Sequence, residues 1–157
     1  MRSTLLAAAV VFAAAAAQAQ QPAPAAAPGD TAARKWGPAP AVFPPGAQMA
    51  VVAGDPGKAG PFTIELAMPD GYRIAPHFHP TAEHVTVRSG TFVVGMGDTV
   101  NLASAQTLTA GQQGEIAPQM HHYAAARGPT VVAVRAMGPF AMTYVNPADD
   151  PRRTATP

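Results

Sequence analysis

The chain contains the stretch Gly71-Tyr72-Arg73-Ile74-Ala75-Pro76-His77-Phe78-His79-Pro80-Thr81-Ala82-Glu83, and Gly90 closes it. His77 and His79 are two residues apart, so on a β-strand both side chains point to the same face. Glu83 follows four residues after His79, which is far enough for the chain to turn and bring back an oxygen ligand. Two imidazoles and a carboxylate with open positions form the facial arrangement of non-haem iron sites, and other divalent metals accept it too.

The composition predicts one β-rich domain without cysteine. The length of 157 residues favours a single domain. Charged residues make up 12% of the chain, against about 25% in typical proteins. Because the chain has 18 prolines and 14 glycines, we expect many turns and short strands rather than long helices. With no cysteine, a metal must be held by nitrogen and oxygen, with at most a methionine sulfur.

The charge pattern gives no indication of nucleic-acid binding. The formal net charge is +1, and Lys35 and Lys58 are the only lysines in the sequence. A nucleic-acid surface requires clustered lysine and arginine, and no such cluster is present in the sequence. We therefore expect no nucleic-acid partner.

The N-terminus has the pattern of a secretory signal. Arg2 supplies a positive charge, an apolar run of about 13 residues follows, and Ala17-Gln18-Ala19 fits the small-x-small cleavage rule. This run is shorter than the roughly 20 residues that a membrane-spanning helix needs. We therefore predict a signal peptide over residues 1–19, a periplasmic or secreted location in bacteria, and no membrane association after cleavage.

The remaining boundaries follow from composition. Residues 20–34 are rich in alanine and proline and lack the apolar side chains of a core, so they are predicted to form a flexible linker. Residues 151–157 are polar and are predicted to form a disordered tail. The folded domain is predicted to extend over residues 35–150.

Inside that domain, short apolar segments alternate with turn residues, which is typical of an all-β sandwich or barrel. The dipeptide Ser89-Gly90 is predicted to be a turn between two strands. The predicted strands in the second half of the domain are Glu83–Val87, Thr91–Met96, Met120–Ala125, Val131–Met137 and Phe140–Val145.

Two motifs carry a resemblance to a known family. The spacing Gly71-x5-His77-x-His79-x3-Glu83-x6-Gly90 matches the first cupin motif at every defined position. A second segment, from Gly111 to His122, resembles the second cupin motif, in which glycine, proline, glycine and histidine recur at fixed offsets. Here Ala117 takes the place of the usual proline, with Pro118 one residue later, and Gln119 takes the place of the usual glycine. The chain as a whole resembles small exported single-domain cupins of bacteria.

The resemblance implies an all-β fold, the double-stranded β-helix or jelly-roll barrel, with short flanking strands. In the family, the two histidines and glutamate of the first motif and the histidine of the second bind one metal inside the barrel. Carried over by position, these ligands are His77, His79, Glu83 and His122. The ion is expected to be divalent, and iron, manganese, nickel, copper and zinc all accept this ligand set. Cupins commonly dimerise through an outer sheet face, so a homodimer is consistent with the resemblance.

Three neighbouring side chains compete with the predicted ligands. His121 is adjacent to His122, and strand alternation allows only one of the two to face the barrel. The motif offset favours His122 and leaves His121 as the alternative. His84 follows Glu83 and should point outward. Met120 shares a face with His122 and is expected to line the pocket, where a thioether could also reach copper.

The sequence leaves the reaction open. Metal-containing cupins include dioxygenases, isomerases and decarboxylases, so a small metal-dependent enzyme, dioxygenase- or isomerase-like and acting on a small organic molecule, is the first hypothesis. A non-catalytic periplasmic module that binds a metal or small ligand is the alternative, and a domain that the metal only rigidifies is a third. The catalytic residues are unknown. The candidates for an acid or base are Tyr72, Arg73, Gln119, Tyr123 and Arg135.

Overall fold

The computed structural model describes residues 34–154. The predicted signal peptide, and the predicted linker apart from Arg34, lie outside these residues. The described chain forms nine strands in one curled sheet, and within it no helix has the length and hydrophobicity that a membrane-spanning segment requires. The strands are β1 (Gly37–Pro38), β2 (Gln48–Ala53), β3 (Gly60–Met68), β4 (Arg73–Phe78), β5 (Glu83–Met96), β6 (Gln106–Thr109), β7 (Gln113–Ile116), β8 (His122–Gly138) and β9 (Thr143–Tyr144).

Two long antiparallel strands, β5 and β8, organise the sheet. They pair along almost their whole length, from Glu83 opposite Ala136 to Met96 opposite His122. On its other edge β8 pairs first with β4 and then with β3, while β5 pairs first with β7 and then with β6. Because both strands change partner halfway along, the sheet curls over itself. This architecture confirms the predicted all-β jelly roll.

The predicted turn at Ser89-Gly90 is wrong, because β5 runs through it as one strand with a bulge. The register with β8 shifts on both sides of Ser89. Gly90 has φ +78°, and a Cβ at this position would lie 2.3 Å from the Pro129 carbonyl oxygen. The buried Thr130 hydroxyl donates to the Thr91 carbonyl and accepts from the Thr91 amide. Glycine therefore allows a bend within the strand, and the hydroxyl replaces the hydrogen bonds that the bulge removes.

The core lies on the concave face of the sheet. Strand β3 shows the alternation that produces it, since Phe62, Ile64 and Leu66 are buried in the main apolar cluster. On β5, Val85 and Val87 join that cluster. The apolar side chains thus surround the position where the motif histidines enter the barrel.

The first and last described residues of the chain take part in local structure. Arg34, the last residue of the predicted linker, donates two hydrogen bonds to Glu65, at 2.7 and 3.0 Å. Glu65 is completely buried on the outer face of β3, and the Arg88 Nε atom lies 3.3 Å from the same carboxylate. At the other end, Pro151–Thr154 forms a short helix (α1) inside the predicted disordered tail.

Candidate metal centre

The three motif histidines and Glu83 come from three neighbouring stretches of backbone. His77 lies in β4 and pairs in register with His122, the first residue of β8. His79 comes directly after β4, and Glu83 is the first residue of β5. The structure therefore brings together all four residues that the sequence predicts as ligands.

Hydrogen bonds to the backbone hold each imidazole in one orientation. The Nδ1 atoms of His77, His79 and His122 lie 2.7, 2.7 and 2.9 Å from carbonyl oxygens of Ala75, Ala141 and Met120. A carbonyl oxygen only accepts, so each Nδ1 carries the proton. In a neutral imidazole the lone pair is then on Nε2, which is the arrangement of a metal-ligating histidine with its supporting hydrogen bond.

The three histidines converge on a shared position inside the barrel. One ligand atom from each of the three histidines lies within 4.8 Å of the other two. The Glu83 carboxylate lies beside two of them, 3.5 Å from His79 Nε2 and 3.8 Å from His122 Nε2. All four residues are buried. The site thus brings imidazole nitrogens and one carboxyl group together in a buried space, and a cation there would interact favourably with all four groups.

Burial also sets the protonation of the site. The pKa of His77 is lowered to about 2. The larger cause is the loss of solvation on burial, and the smaller one is electrostatic repulsion from the nearby His122. Desolvation lowers the pKa of His79 to about 4, against the opposing effect of its Ala141 hydrogen bond, and it also lowers the pKa of His122. The three imidazoles are therefore neutral at pH 7, the form that binds metals.

Glu83 shows the opposite shift, because burial penalises its negative form and raises its pKa to about 7. A divalent cation nearby favours the carboxylate and reverses that effect. The donor set, three neutral nitrogens and one carboxylate, fits a divalent transition metal and leaves about two positions open on an octahedral ion.

The competing side chains lie outside this cluster. The side chain of His121 is 38% exposed, and its Nδ1 lies 2.6 Å from Asp98 Oδ1. His84 is exposed beside Glu115 on the outer face. Met120 is 44% exposed and does not line the central cavity, so the prediction that it is a pocket residue is wrong. It precedes the first residue of β8, where strand alternation does not yet apply.

A small apolar cavity surrounds the four residues. Its volume is about 40 Å³, and its polar lining comes from the four predicted ligands. The other lining residues are Phe43, Ile64, Leu66, Ile74, Val85, Phe92, Ile116, Ala124, Val132, Val134, Phe140 and Met142.

None of the acid or base candidates lines this cavity. The two tyrosines are instead occupied elsewhere, because Tyr72 donates to the Pro44 carbonyl and Tyr123 donates to the Asn101 carbonyl. Glu83 carries the only carboxyl group among the described lining residues. Phe140 also lines the cavity, although nothing in the sequence pointed to it. Any proton transfer in the cavity therefore falls to Glu83, to a histidine or to the bound molecule itself.

Comparison with known proteins identifies the architecture. No family model and no curated protein matches the chain. Among solved structures, a protein from Methylibium petroleiphilum PM1, proposed to be an acetylacetone dioxygenase, is 21% identical, with a TM-score of 0.57 over 74% of this chain and 78% of that one. An RmlC-like cupin from Shewanella frigidimarina NCIMB 400 is 13% identical, with a TM-score of 0.54 over 69% and 86%. KdgF from Halomonas sp. is 20% identical, with a TM-score of 0.53 over 69% and 89%.

These similarities, together with the topology above, define the fold as the cupin double-stranded β-helix. The identities are too low to transfer an activity, and a shared fold does not determine function. The functional argument therefore rests on the histidine cluster and its cavity.

Proposed function

We propose that this protein binds one divalent metal ion through His77, His79, Glu83 and His122, and that it is a small metal-dependent enzyme acting on a small organic molecule. The observation that carries the proposal is the convergence of three buried histidines, each fixed by a backbone hydrogen bond at Nδ1. Such backbone partners orient ligands toward a metal before it binds.

On an ion that takes six ligands, this set favours a reactive site over a purely structural one. Three histidines and one carboxylate leave about two positions open on an octahedral ion, whereas the same four ligands would close a tetrahedral one. A bound ion supplies Lewis acidity, or redox chemistry with dioxygen if it is iron. The apolar walls exclude water and orient a ligand, and the Glu83 carboxylate contributes the negative charge that balances the ion.

One solved structure of similar fold offers a direction for the reaction. It is proposed to be an acetylacetone dioxygenase, so oxygenation of a small keto compound is one reaction to test. The alternative is a non-catalytic module that binds a metal or small ligand. The absence of a separate acid or base among the described lining residues favours that alternative.

The test is to express the protein, measure its metal content by elemental analysis, and follow oxygen uptake and substrate loss with small phenols, keto acids and acetylacetone. A matched pair of variants, His79→Ala and His84→Ala, removes one buried and one exposed histidine. We expect one divalent ion per chain, and turnover that His79→Ala abolishes and His84→Ala retains.

The possible outcomes separate the hypotheses. Failure of the wild-type protein to retain any divalent metal at neutral pH would contradict both the enzyme and the binding module. One tightly held ion without turnover on the panel would favour the binding module. Equal metal loss in both histidine variants would contradict the assignment of the site.

Export and self-association belong to the proposal as well. Export is supported by residues 1–19 of the sequence and is tested by N-terminal sequencing of the mature protein, which should begin at Gln20. A homodimer through an outer sheet face is tested by light scattering of the purified protein.

A further inference from the structure

The cavity around the histidine cluster has one partly exposed wall. Among the described residues that line it, Phe140 is only partly buried, whereas every other lining residue is at most 8% exposed. The cavity is partly open, and a side chain that lines it and also reaches solvent lies at its mouth. The position of Phe140 therefore marks the route by which a molecule from solvent reaches the metal ligands.

The Phe140 ring is held in this position from several sides. Its centroid lies 5.9 Å from that of Phe43, with the rings stacked, and 6.1 Å from that of Phe62, with an edge-to-face arrangement. On the inner side it lies 5.2 Å from the ring of His79. The backbone is fixed too, because the Phe140 amide donates to the Pro56 carbonyl at 2.7 Å. The ring is therefore part of the packed structure.

The cavity behind this ring is too small for an aromatic molecule. Its volume is about 40 Å³, whereas a dry apolar cavity of about 150 Å³ holds benzene. Only a ligand of a few non-hydrogen atoms fits between Phe140 and the histidine cluster. The remaining lining residues are buried and come largely from strands, so Phe140 is the wall whose replacement opens space toward solvent.

We propose that Phe140 is the specificity-determining residue of the site, limiting the ligands that reach the metal to very small ones such as short carboxylates. This inference rests on the proposed metal-binding function. It concerns a side chain that is not one of the four predicted metal ligands and that lies outside the strands. A smaller residue at this position should therefore change which ligands bind while leaving metal affinity in place.

The loop that carries Phe140 also orients one ligand. The next residue, Ala141, accepts the hydrogen bond from His79 Nδ1. This contact uses a backbone carbonyl, so a substitution at residue 140 leaves the hydrogen-bonding group intact. Access to the site and orientation of His79 can thus be tested separately.

The experiment uses the full protein loaded with Co(II), whose visible absorption reports ligands entering its coordination sphere. Formate, acetate and benzoate present the same carboxylate with increasing bulk, and their Kd values are measured by titration. The variants are Phe140→Ala, the conservative Phe140→Leu, and Phe78→Ala as a matched control. Phe78 lies near the site, stacked on His121 with a centroid distance of 5.0 Å, but does not line the cavity.

We expect formate to bind to the wild type and benzoate to be excluded. Phe140→Ala should bind benzoate at least about 10-fold more tightly than the wild type does, which is the range of discrimination set by steric fit in an apolar pocket. Phe140→Leu should be intermediate, and Phe78→Ala should match the wild type. Formate affinity should change by less than about 3-fold throughout.

Two results would overturn the inference while leaving the proposed function intact. In the first, the wild type binds benzoate as tightly as formate. In the second, every variant binds Co(II), but Phe140→Ala and Phe140→Leu have the same benzoate Kd as the wild type. Failure of the wild-type protein to bind Co(II) would instead overturn the proposed function. If Phe140→Ala does not fold, the intermediate behaviour expected of Phe140→Leu still decides the question.

Discussion

Single substitutions of His121 and His122 should show which of these adjacent histidines is the metal ligand. In His122→Ala the buried imidazole that faces Glu83 is lost, whereas in His121→Ala an exposed ring beside Asp98 is lost. Both variants change the same residue type at consecutive positions. Only the first should weaken metal binding, because only His122 directs its Nε2 atom into the cluster.

The size of the effect follows from the ligand count. Metal binding by four-ligand structural zinc sites contributes about 10–16 kcal/mol, or about 3 kcal/mol per ligand. Losing one of four ligands should therefore raise the metal Kd by about 100-fold. At a metal concentration of about 100 times the wild-type Kd, the wild type gains about 2.7 kcal/mol of stability, but a variant with a 100-fold weaker site gains only about 0.4 kcal/mol.

The assay is thermal unfolding with and without the metal. For a folded unit of this size, 1 kcal/mol corresponds to about 4 °C in Tm. The metal should therefore raise the Tm of the wild type and His121→Ala by about 10 °C, and that of His122→Ala by about 2 °C. Each variant is compared with itself, with and without metal. The loss of stability caused by the cavity that His122→Ala creates is present in both measurements and therefore cancels. A full shift in His122→Ala and a lost shift in His121→Ala would refute the assignment.

Three further substitutions test the architecture around the site, with the free energy of unfolding measured in urea. Arg34→Ala should lower it by about 2 kcal/mol, because it removes two hydrogen bonds to the fully buried Glu65. Gln119→Gly should raise it by about 0.5 kcal/mol, because Gln119 has φ +60°, a backbone conformation that disfavours residues other than glycine. Gly95→Ala should lower it by about 3 kcal/mol, because its Cβ would lie 2.2 Å from the Tyr123 ring.

Each of these has an outcome that would contradict it. Lys35→Ala, the exposed neighbour of Arg34, should change stability by less than about 0.5 kcal/mol, and an equal loss in both variants would show that the ion pair is not the cause. A loss of stability in Gln119→Gly would mean that the glutamine side chain makes a stabilising interaction. Wild-type stability in Gly95→Ala would show that the Tyr123 ring can move aside.

The three histidines and Glu83 could be predicted from the sequence because each lies within a short motif. Strand alternation puts His77 and His79 on the same side, and the motif offsets select His122 over His121. The second motif usually has a glycine where this chain has Gln119. The backbone of Gln119 nevertheless adopts the left-handed conformation that favours glycine, with φ +60°. Spacing along the chain groups His77, His79 and Glu83, and the resemblance to the cupin motifs supplies His122.

Long-range pairing accounts for what the sequence did not reveal. Glu65 has the alternation of an outward-facing strand residue, and only the arrival of Arg34 from 31 residues away makes it buried. Phe140 was expected in a strand, yet the strand is only Thr143–Tyr144. Its ring is held at the cavity by stacking on Phe43 and by an edge-to-face contact with Phe62, and no local pattern encodes these contacts.

The most direct test of the metal centre is anomalous X-ray diffraction at the absorption edge of the ion that the purified protein retains. We predict one anomalous peak per chain inside the barrel, at about 2.0–2.2 Å from the Nε2 atoms of His77, His79 and His122 and from a Glu83 oxygen. A peak at the exposed His121 or His84 instead, or no peak in the barrel of a metal-loaded protein, would contradict the account.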